Sequence, residues 1–388
     1  MIRTALSLAL LSGALTCTLF AQKQYFFSGV PVTGQLNLTA TVNVSQLALS
    51  PAIRAAARGG IARMPEFKIL PELTAPKAAL ARRFEALAAT AQTMQSLSIV
   101  PASASFGFDG LTHLDQRMAN GGNQFSVEPP SPSIAISNGF ILEGVNNAIQ
   151  VYTTAGVPLL PKVVATDQLF ALPAEINRVT GVQGVYPTDI RVFYDQTIDR
   201  WIVLQRALDN DAAGQPLNSS HLYVAASQTG DPTGTYNIYT MDTTNPQNSR
   251  CPCLADYPQI GADRYGIYIA ANEYDTAFNN FIDATILSIS KASIAAGVHS
   301  PTAYKFTLPR NTGYEFAIQP AQTPPGASYF LANGGVEYLV SSQATLLPDS
   351  NLSLWAISNT SSLGTSTPNL ALQQTIVPSL AYSSPDVA

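Results

Sequence analysis

A long-period repeat constrains this chain more than any other feature. Four stretches each open on a proline and run into short segments rich in Val, Ile, Tyr, Phe and Leu. The first, SPSIAISNGFILEGVNNAIQVYTTAG, is anchored by Pro132. The second, YPTDIRVFYDQTIDRWIVLQRALDN followed by SSHLYVAASQTGDPTGTYNIYTMD, is anchored by Pro187. The third begins DYPQIGADRYGIYIAANEYD at Pro258, and the fourth PPGASYFLANGGVEYLVSS at Pro325. Successive anchors lie 55, 71 and 67 residues apart, and each unit holds three or four strand-like runs. One four-stranded sheet cannot bury both of its faces alone, whereas sheets stacked radially bury them against their neighbours. The repeat therefore predicts an all-β chain, a β-propeller with about four recognisable four-stranded blades near 132–186, 187–257, 258–324 and 325–384. Evenly spaced short strands also suit a β-sandwich, which stays as the alternative. The spacing exceeds the ~40–50 residues of common propeller repeats, so the surplus is assigned to loops such as RALDNDAAGQPLNS. Trp201 and Trp355 fall inside apolar runs and are expected between blades.

The chain ends on residues that read as the opening of another unit. Ser384-Pro385-Asp386-Val387-Ala388 places a proline 60 residues after Pro325, but no inner strand follows it. The expectation is a ring incomplete at its C-terminus with one apolar blade face uncovered. A closed four-fold ring is the other outcome.

Residues before the repeats have a different character. MIRTALSLALLSGALTCTLFA at 1–21 carries Arg3, an apolar run and a small residue at Ala21, the pattern of a secretory signal peptide. The expected localisation is secreted, periplasmic or extracellular after cleavage, and no later run is long enough to span a membrane. Residues 22–100 carry a net charge of +5, and 101–388 carry −11. The basic stretch contains the Ala-rich PKAALARRFEALAATAQTMQSL, whose Leu80, Phe84, Leu87, Met94 and Leu97 suit an amphipathic helix. It reads as a partly helical Ala/Pro-rich leader or linker that adds little to the core. Brief proteolysis is then expected to leave a fragment starting near residue 100, with 101–388 as the propeller domain.

The balance of 20 basic against 25 acidic residues, −5 overall, excludes nucleic acid as a partner for the chain as a whole. Hydrophobic residues at 46% exclude a mostly disordered chain.

DIRVFYDQTIDRWIV followed by LYVAASQTGDPTGTY resembles a blade of secreted bacterial β-propeller proteins of the sialidase-like, Asp-box type. SPSIAISNGFILEGVNNAIQVYTTAG and DYPQIGADRYGIYIAANEY resemble functionally uncharacterised members of the same kind, over roughly 105–388. The resemblance implies fold and export. In the box TGDPTGTY, Asp231 is suited to fold back onto backbone amides and close a turn, and Tyr236 to pack between sheets. In sialidases such boxes lie away from the catalytic face and act structurally.

Chemical motifs are sparse. No G-x-S-x-G, H-E-x-x-H, phosphate loop or G-x-G-x-x-G is present, and His113, His221 and His299 are isolated in the sequence. Cys251 and Cys253, in RCPCLADY, are spaced for a local disulfide, with free thiols or a metal pair as alternatives. Asp209-Asn210-Asp211 with Gly214 imitates the start of a calcium loop, but Ser220 stands at the twelfth position where a bidentate Glu belongs. Asp209 and Asp211 are thus the calcium candidates, and no other cofactor is expected. Arg178, Arg191, Arg206, Arg250, Arg264 and Arg310 could serve a substrate carboxylate, yet no sequence feature gathers three of them. Arg191 reads as a strand-flanking residue.

The preferred expectation is an exported binding or structural module for carbohydrate or another extracellular ligand, without a catalytic site. The alternative is a glycoside hydrolase of sialidase-like type. Polar and aromatic funnel walls without a close acid pair would mark the first. Carboxylates converging with an arginine opposite would mark the second.

Overall fold

The computed structural model describes residues 23–49 and 107–383, except 33, 126, 128, 129, 246, 247, 277–279, 325 and 344–347. The signal segment 1–21, the helix expected over Leu80–Leu97 and the tail 384–388 lie outside the described residues.

The described residues open with three strands, β1 (Gln24–Phe27), β2 (Gly29–Pro31) and β3 (Leu36–Asn43), and a short helix α1 (Val44–Leu49). Four antiparallel meanders follow. The first comprises β4 (Pro132–Ser137), β5 (Phe140–Val145), β6 (Ala148–Thr153) and β7 (Val164–Ala165). The second comprises β8 (Tyr186–Asp195), β9 (Arg200–Asn210), β10 (Pro216–Ser227) and β11 (Thr235–Asp242). The third comprises β12 (Cys253–Ala262), β13 (Gly266–Asp275), β14 (Phe281–Ser290) and β15 (Ala303–Pro309). The fourth comprises β16 (Gln319–Pro320), β17 (Val336–Ser341), β18 (Asp349–Ser358) and β19 (Ala371–Tyr382).

These sheets stack face to face in chain order, as propeller blades do, and each interface has its own apolar cluster. Leu142, Ile149 and Val151 of the first sheet meet Ile190, Val192, Trp201 and Tyr236 of the second. The other face of the second sheet sends Ile202, Leu204, Leu222 and Val224 against Ile267, Ile269 and Leu287 of the third. The third then packs Ile286, Phe306 and Leu308 against Leu339, Trp355 and Ile357 of the fourth. The period-2 alternation of each strand supplies one set of side chains to each neighbour. Trp201 and Trp355 are both fully buried, as expected.

Sheet stacking is tightest where glycine permits it. A Cβ on Gly144 would lie 2.6 Å from Ile190 Cδ1, and one on Gly261 would lie 2.6 Å from Pro320 Cβ. Both positions let one blade's backbone approach the inner strand of the next.

The N-terminal strands correct the expectation that 22–100 adds little to the core. β1 pairs with β19, β2 with β15 and β3 with β11, all antiparallel. The leader thus runs backward along three blades, adding an outer fifth strand to the fourth, third and second in turn. Val32, Leu36, Val44 and Ala48 are buried in the clusters between sheets. Its proline and alanine content disguised strands of three to eight residues.

Two boundaries also differ from the sequence reading. The fourth inner strand is Gln319–Pro320, so Pro320 is the proline in it and not Pro325, which lies outside the described residues. RALDNDAAGQPLNS is mostly strand: β9 reaches Asn210 and β10 starts at Pro216, leaving a tight turn. The surplus repeat length therefore lies partly in longer strands.

Among the described residues, no buried apolar cluster joins the first sheet to the fourth. Ile134 and Ile136 on β4 are 64% and 61% exposed, and Tyr338, Val340 and Leu354 are exposed on the fourth sheet.

Candidate functional site

The inner strands β8 and β12 do not run straight to their ends. β8 shifts register between Thr188 and Arg191, and β12 between Asp256 and Gln259. Each irregularity contains a non-glycine residue at positive φ, Asp189 at 57° and Tyr257 at 49°. Ala317, just ahead of β16, adopts 47°. This left-handed backbone is unfavourable for L residues, and bulges that re-aim side chains concentrate beside functional sites. Three successive inner strands therefore carry a positive-φ residue, within the first half of β8 and β12 and just ahead of β16.

The bulges aim chemistry at one place. Asp189 Oδ2 accepts from Arg206 Nε at 2.9 Å, and Asp256 Oδ1 lies 2.9 Å from Arg206 Nη2. Arg206 comes from the centre of β9 and is itself buried. Burial alone would depress its proton affinity, but the two carboxylates outweigh that and raise it. Asp256 moves up because burial dominates the opposing pull of Arg206, with Asp189 adding like-charge repulsion. One guanidinium thus carries two carboxylates, leaving a formal excess of one negative charge.

Arg191 sits beside this group and ties three blades together. Its Nη1 donates to Ser131 Oγ at 3.3 Å and to the Ile190 carbonyl at 2.7 Å, and its Nε donates to Gln259 Oε1 at 3.3 Å. Its Cζ stands 5.0 Å from the Tyr257 ring centroid, a cation–π contact. Tyr257 remains 43% exposed, so the ring also faces solvent. The result is an aromatic surface, an arginine, an amide and two half-buried carboxylates at one end of the inner strands.

A second acidic pair, Glu175 and Asp167, is fully buried. Glu175 accepts from Phe125 N at 2.9 Å and from Asn147 Nδ2 at 2.6 Å. Burial, reinforced by Asp167, pushes its carboxyl well above the usual range. Asp167 is pushed up to about 6 by burial, against hydrogen bonds from Asn120 and the Gln168 and Glu175 amides. No spacing rule singles out these residues, because their partners are distant in the chain.

The residues singled out in sequence are distributed elsewhere. Asp231 accepts from Thr233 N at 2.8 Å and Thr233 Oγ1 at 2.7 Å, while buried Tyr236 donates to the Pro232 carbonyl at 3.1 Å. Both hold a turn and a blade interface. Cys251 and Cys253 form a disulfide with Cα atoms 4.5 Å apart. Asp209 is occupied by His221 Nδ1 at 3.0 Å and Ser219 Oγ at 2.6 Å. Asp211 caps its turn through Ala213 N and Gln215 N, both at 2.9 Å. The calcium reading of Asp209 and Asp211 therefore gains no shared ligand sphere. Nor is His221 isolated, since the hairpin of β9 and β10 delivers it to Asp209.

Of the arginines, Arg178 donates to the carbonyls of Gly122 and Gln124, and Arg250 pairs with Asp283. Neither joins Arg191. Reading Arg191 as a strand-flanking residue is corrected: the bulge at Asp189–Ile190 turns it across the blade heads.

The cavities lie apart from this chemistry. One of about 220 Å³ lies between Leu47, Asp115, Met118 and Lys162, and another of about 350 Å³ is lined by Arg200, Ser227, Asn237 and Gly297. Neither gathers paired carboxylates with an arginine, so the inner-strand bulges are the stronger candidate.

No family model matches the chain, and no curated protein matches it. Solved structures give remote likenesses. An exo-β-1,3-galactanase from Phanerochaete chrysosporium, with galactose, is 12% identical over 63% of this chain and 50% of its own, at a TM-score of 0.30. A GH43 β-1,3-galactosidase with galactodeoxynojirimycin is 12% identical over 66% and 77%, at 0.33. A family 117 glycoside hydrolase from the marine bacterium Zobellia galactanivorans is 6% identical over 62% and 69%, at 0.33. The chain thus spans half the length of the galactanase it matches.

Proposed function

We propose that this protein is an exported propeller-type protein whose four sheets carry a carbohydrate site on their inner strands, and that it hydrolyses a glycosidic bond there. The observation that carries the reading is the convergence of Asp189 and Asp256 beside Arg191 and the exposed Tyr257 ring. Sugar rings present apolar C–H faces to an aromatic surface and hydroxyls to charged and amide side chains, and this site offers both. Glycoside hydrolysis further requires two carboxyl groups with different proton affinities facing one bond. Asp256, raised by burial, suits the proton donor, and Asp189 suits the partner that acts as base or nucleophile. Arg206 positions both.

The binding-only reading is favoured by one feature of the same site. Arg206 pairs with both carboxylates and occupies an oxygen of each, which leaves them less free to reach a glycosidic bond. The full chain assayed on a panel of aryl glycosides and oligosaccharides separates the two. Hydrolysis of one glycoside class, falling at least ~100-fold in Asp256→Asn, supports the proposal. Saturable oligosaccharide binding with no turnover supports the binding module. Neither binding nor turnover across the panel would overturn the carbohydrate assignment.

A further inference from the structure

We infer that the Cys251–Cys253 pair, once reduced, forms a zinc-type metal site with Glu273. Read as sequence, the pair lacks a further ligand. The fold supplies one. β12 pairs with β13 so that Cys253 stands opposite Asp275 and Ala255 opposite Glu273. Directly opposed residues and those two positions along share a face of the sheet. Glu273 is therefore a diagonal neighbour of Cys253, and the two sulfurs and a Glu273 carboxylate oxygen all lie within 4.8 Å of one another. Two thiolates and one oxygen around tetrahedral zinc, at ~2.3 and ~2.0–2.2 Å, have mutual separations below ~4 Å. Closing the set takes only a small side-chain movement.

The site is held without help from the disulfide. Cys253 N donates to the Thr244 carbonyl at 2.9 Å, the Cys253 carbonyl accepts from Ser220 Oγ at 3.0 Å, and Cys251 N donates to the Asn248 carbonyl at 2.9 Å. Glu273 is fixed by Asn245 Nδ2 at 3.0 Å. A disulfide closing so short a loop also restricts the unfolded chain little, so its opening leaves the fold in place. The only group of three close His, Cys, Asp or Glu ligands among the described residues is this one.

The chemistry is redox-gated. In the oxidised form each sulfur is committed to the other. A phosphine or dithiol reductant supplies two electrons, the S–S bond breaks, and two protons complete the thiols. Metal binding then displaces both thiol protons and forms two metal–sulfur bonds and one to a Glu273 oxygen. Three protein ligands leave a fourth position for water, the pattern of an open rather than a closed zinc site. Two thiolates favour zinc or another thiophilic ion over calcium.

Cobalt(II), a spectroscopic stand-in for zinc, tests this on the full chain under anaerobic conditions. Phosphine-reduced protein should take up one equivalent and develop a sulfur-to-cobalt charge-transfer band that zinc abolishes. Oxidised protein and Cys253→Ser, which keeps Cys251, should develop none. Glu273→Gln should bind at least tenfold more weakly, with an altered band. Wild-type protein compared before and after reduction needs no variant to fold, and circular dichroism shows that reduction leaves the sheets intact. An absent band in reduced protein, an equal response from oxidised protein, or unchanged binding by Glu273→Gln would each overturn the inference.

Discussion

Arg206, on the second strand of one blade, reaches Asp256, on the innermost strand of the next, at 2.9 Å. The same guanidinium holds Asp189 of its own blade. The bond is at once a clamp between blades and the source of the charge at the candidate site. Removing one partner of so buried a group leaves an uncompensated charge, worth roughly 3–5 kcal/mol. Arg206→Met should therefore lower the urea midpoint markedly, whereas Asp189→Asn, which keeps a hydrogen-bond acceptor, should lower it much less. Equal losses would show that the charge at Asp189 matters as much as the guanidinium.

Blade spacing supplies a second prediction. Gly144→Ala puts a Cβ 2.6 Å from Cδ1 of Ile190, a fully buried side chain on the next blade's inner strand that must shift to admit it. Overpacking of this kind costs about 1–3 kcal/mol. Denaturant unfolding should record that loss, and Gly139→Ala, where the added carbon meets nothing but φ is +80°, should record a smaller one from backbone strain alone. A larger loss at Gly139 would contradict the close-approach argument.

The buried acidic pair predicts how stability varies with pH. Glu175 and Asp167 both bind protons more tightly in the folded protein than in the unfolded chain. The folded state therefore holds more protons, and stability falls as pH rises. For Asp167 the decline spans roughly pH 4, the unfolded value, to about 6, its folded value; Glu175 extends it upward. His221 adds in the same sense. Its hydrogen bond to Asp209 outweighs burial and raises its affinity, so its contribution is full below ~6.5 and disappears as pH rises through the folded value. Glu175→Gln should flatten the slope of unfolding free energy between pH 5 and 7. A slope unchanged in that variant would mean the pair does not govern acid stability.

The backward-running leader makes a fourth prediction. β1, β2 and β3 each satisfy the outer edge of a blade. A chain beginning at residue 107 should lose three such edges and aggregate, where the leader reading would have it fold unaided. Limited proteolysis should accordingly retain a fragment containing 24–49 in association with the propeller. Release of that segment without loss of the folded signal would count against the pairing.

The repeat was legible because strand alternation and proline anchors are local, and both tryptophans announced themselves by the apolar runs around them. The leader strands were not, because their partners lie about 200 to 350 residues away and their own composition carries no strand signature beyond a few residues. Asp231 and Tyr236 were readable for the same local reason. The candidate site was hidden by its construction: Asp189 and Tyr257 owe their positions to two bulges, and a bulge is a register difference between strands rather than a property of either. Arg206 looks from sequence like one more polar residue in a long strand. Only pairing shows that it faces the next blade.

The proposed site takes a sugar ring across the exposed face of Tyr257. The most direct measurement is calorimetric titration of the full chain and of Tyr257→Ala with the oligosaccharide identified by the glycoside panel, using Asp256→Asn as background to suppress turnover. Binding should be saturable and one-to-one and should weaken at least tenfold in Tyr257→Ala, while the unfolding midpoint of that variant stays within a few degrees of its parent. Binding of equal strength with and without the Tyr257 ring would contradict that assignment.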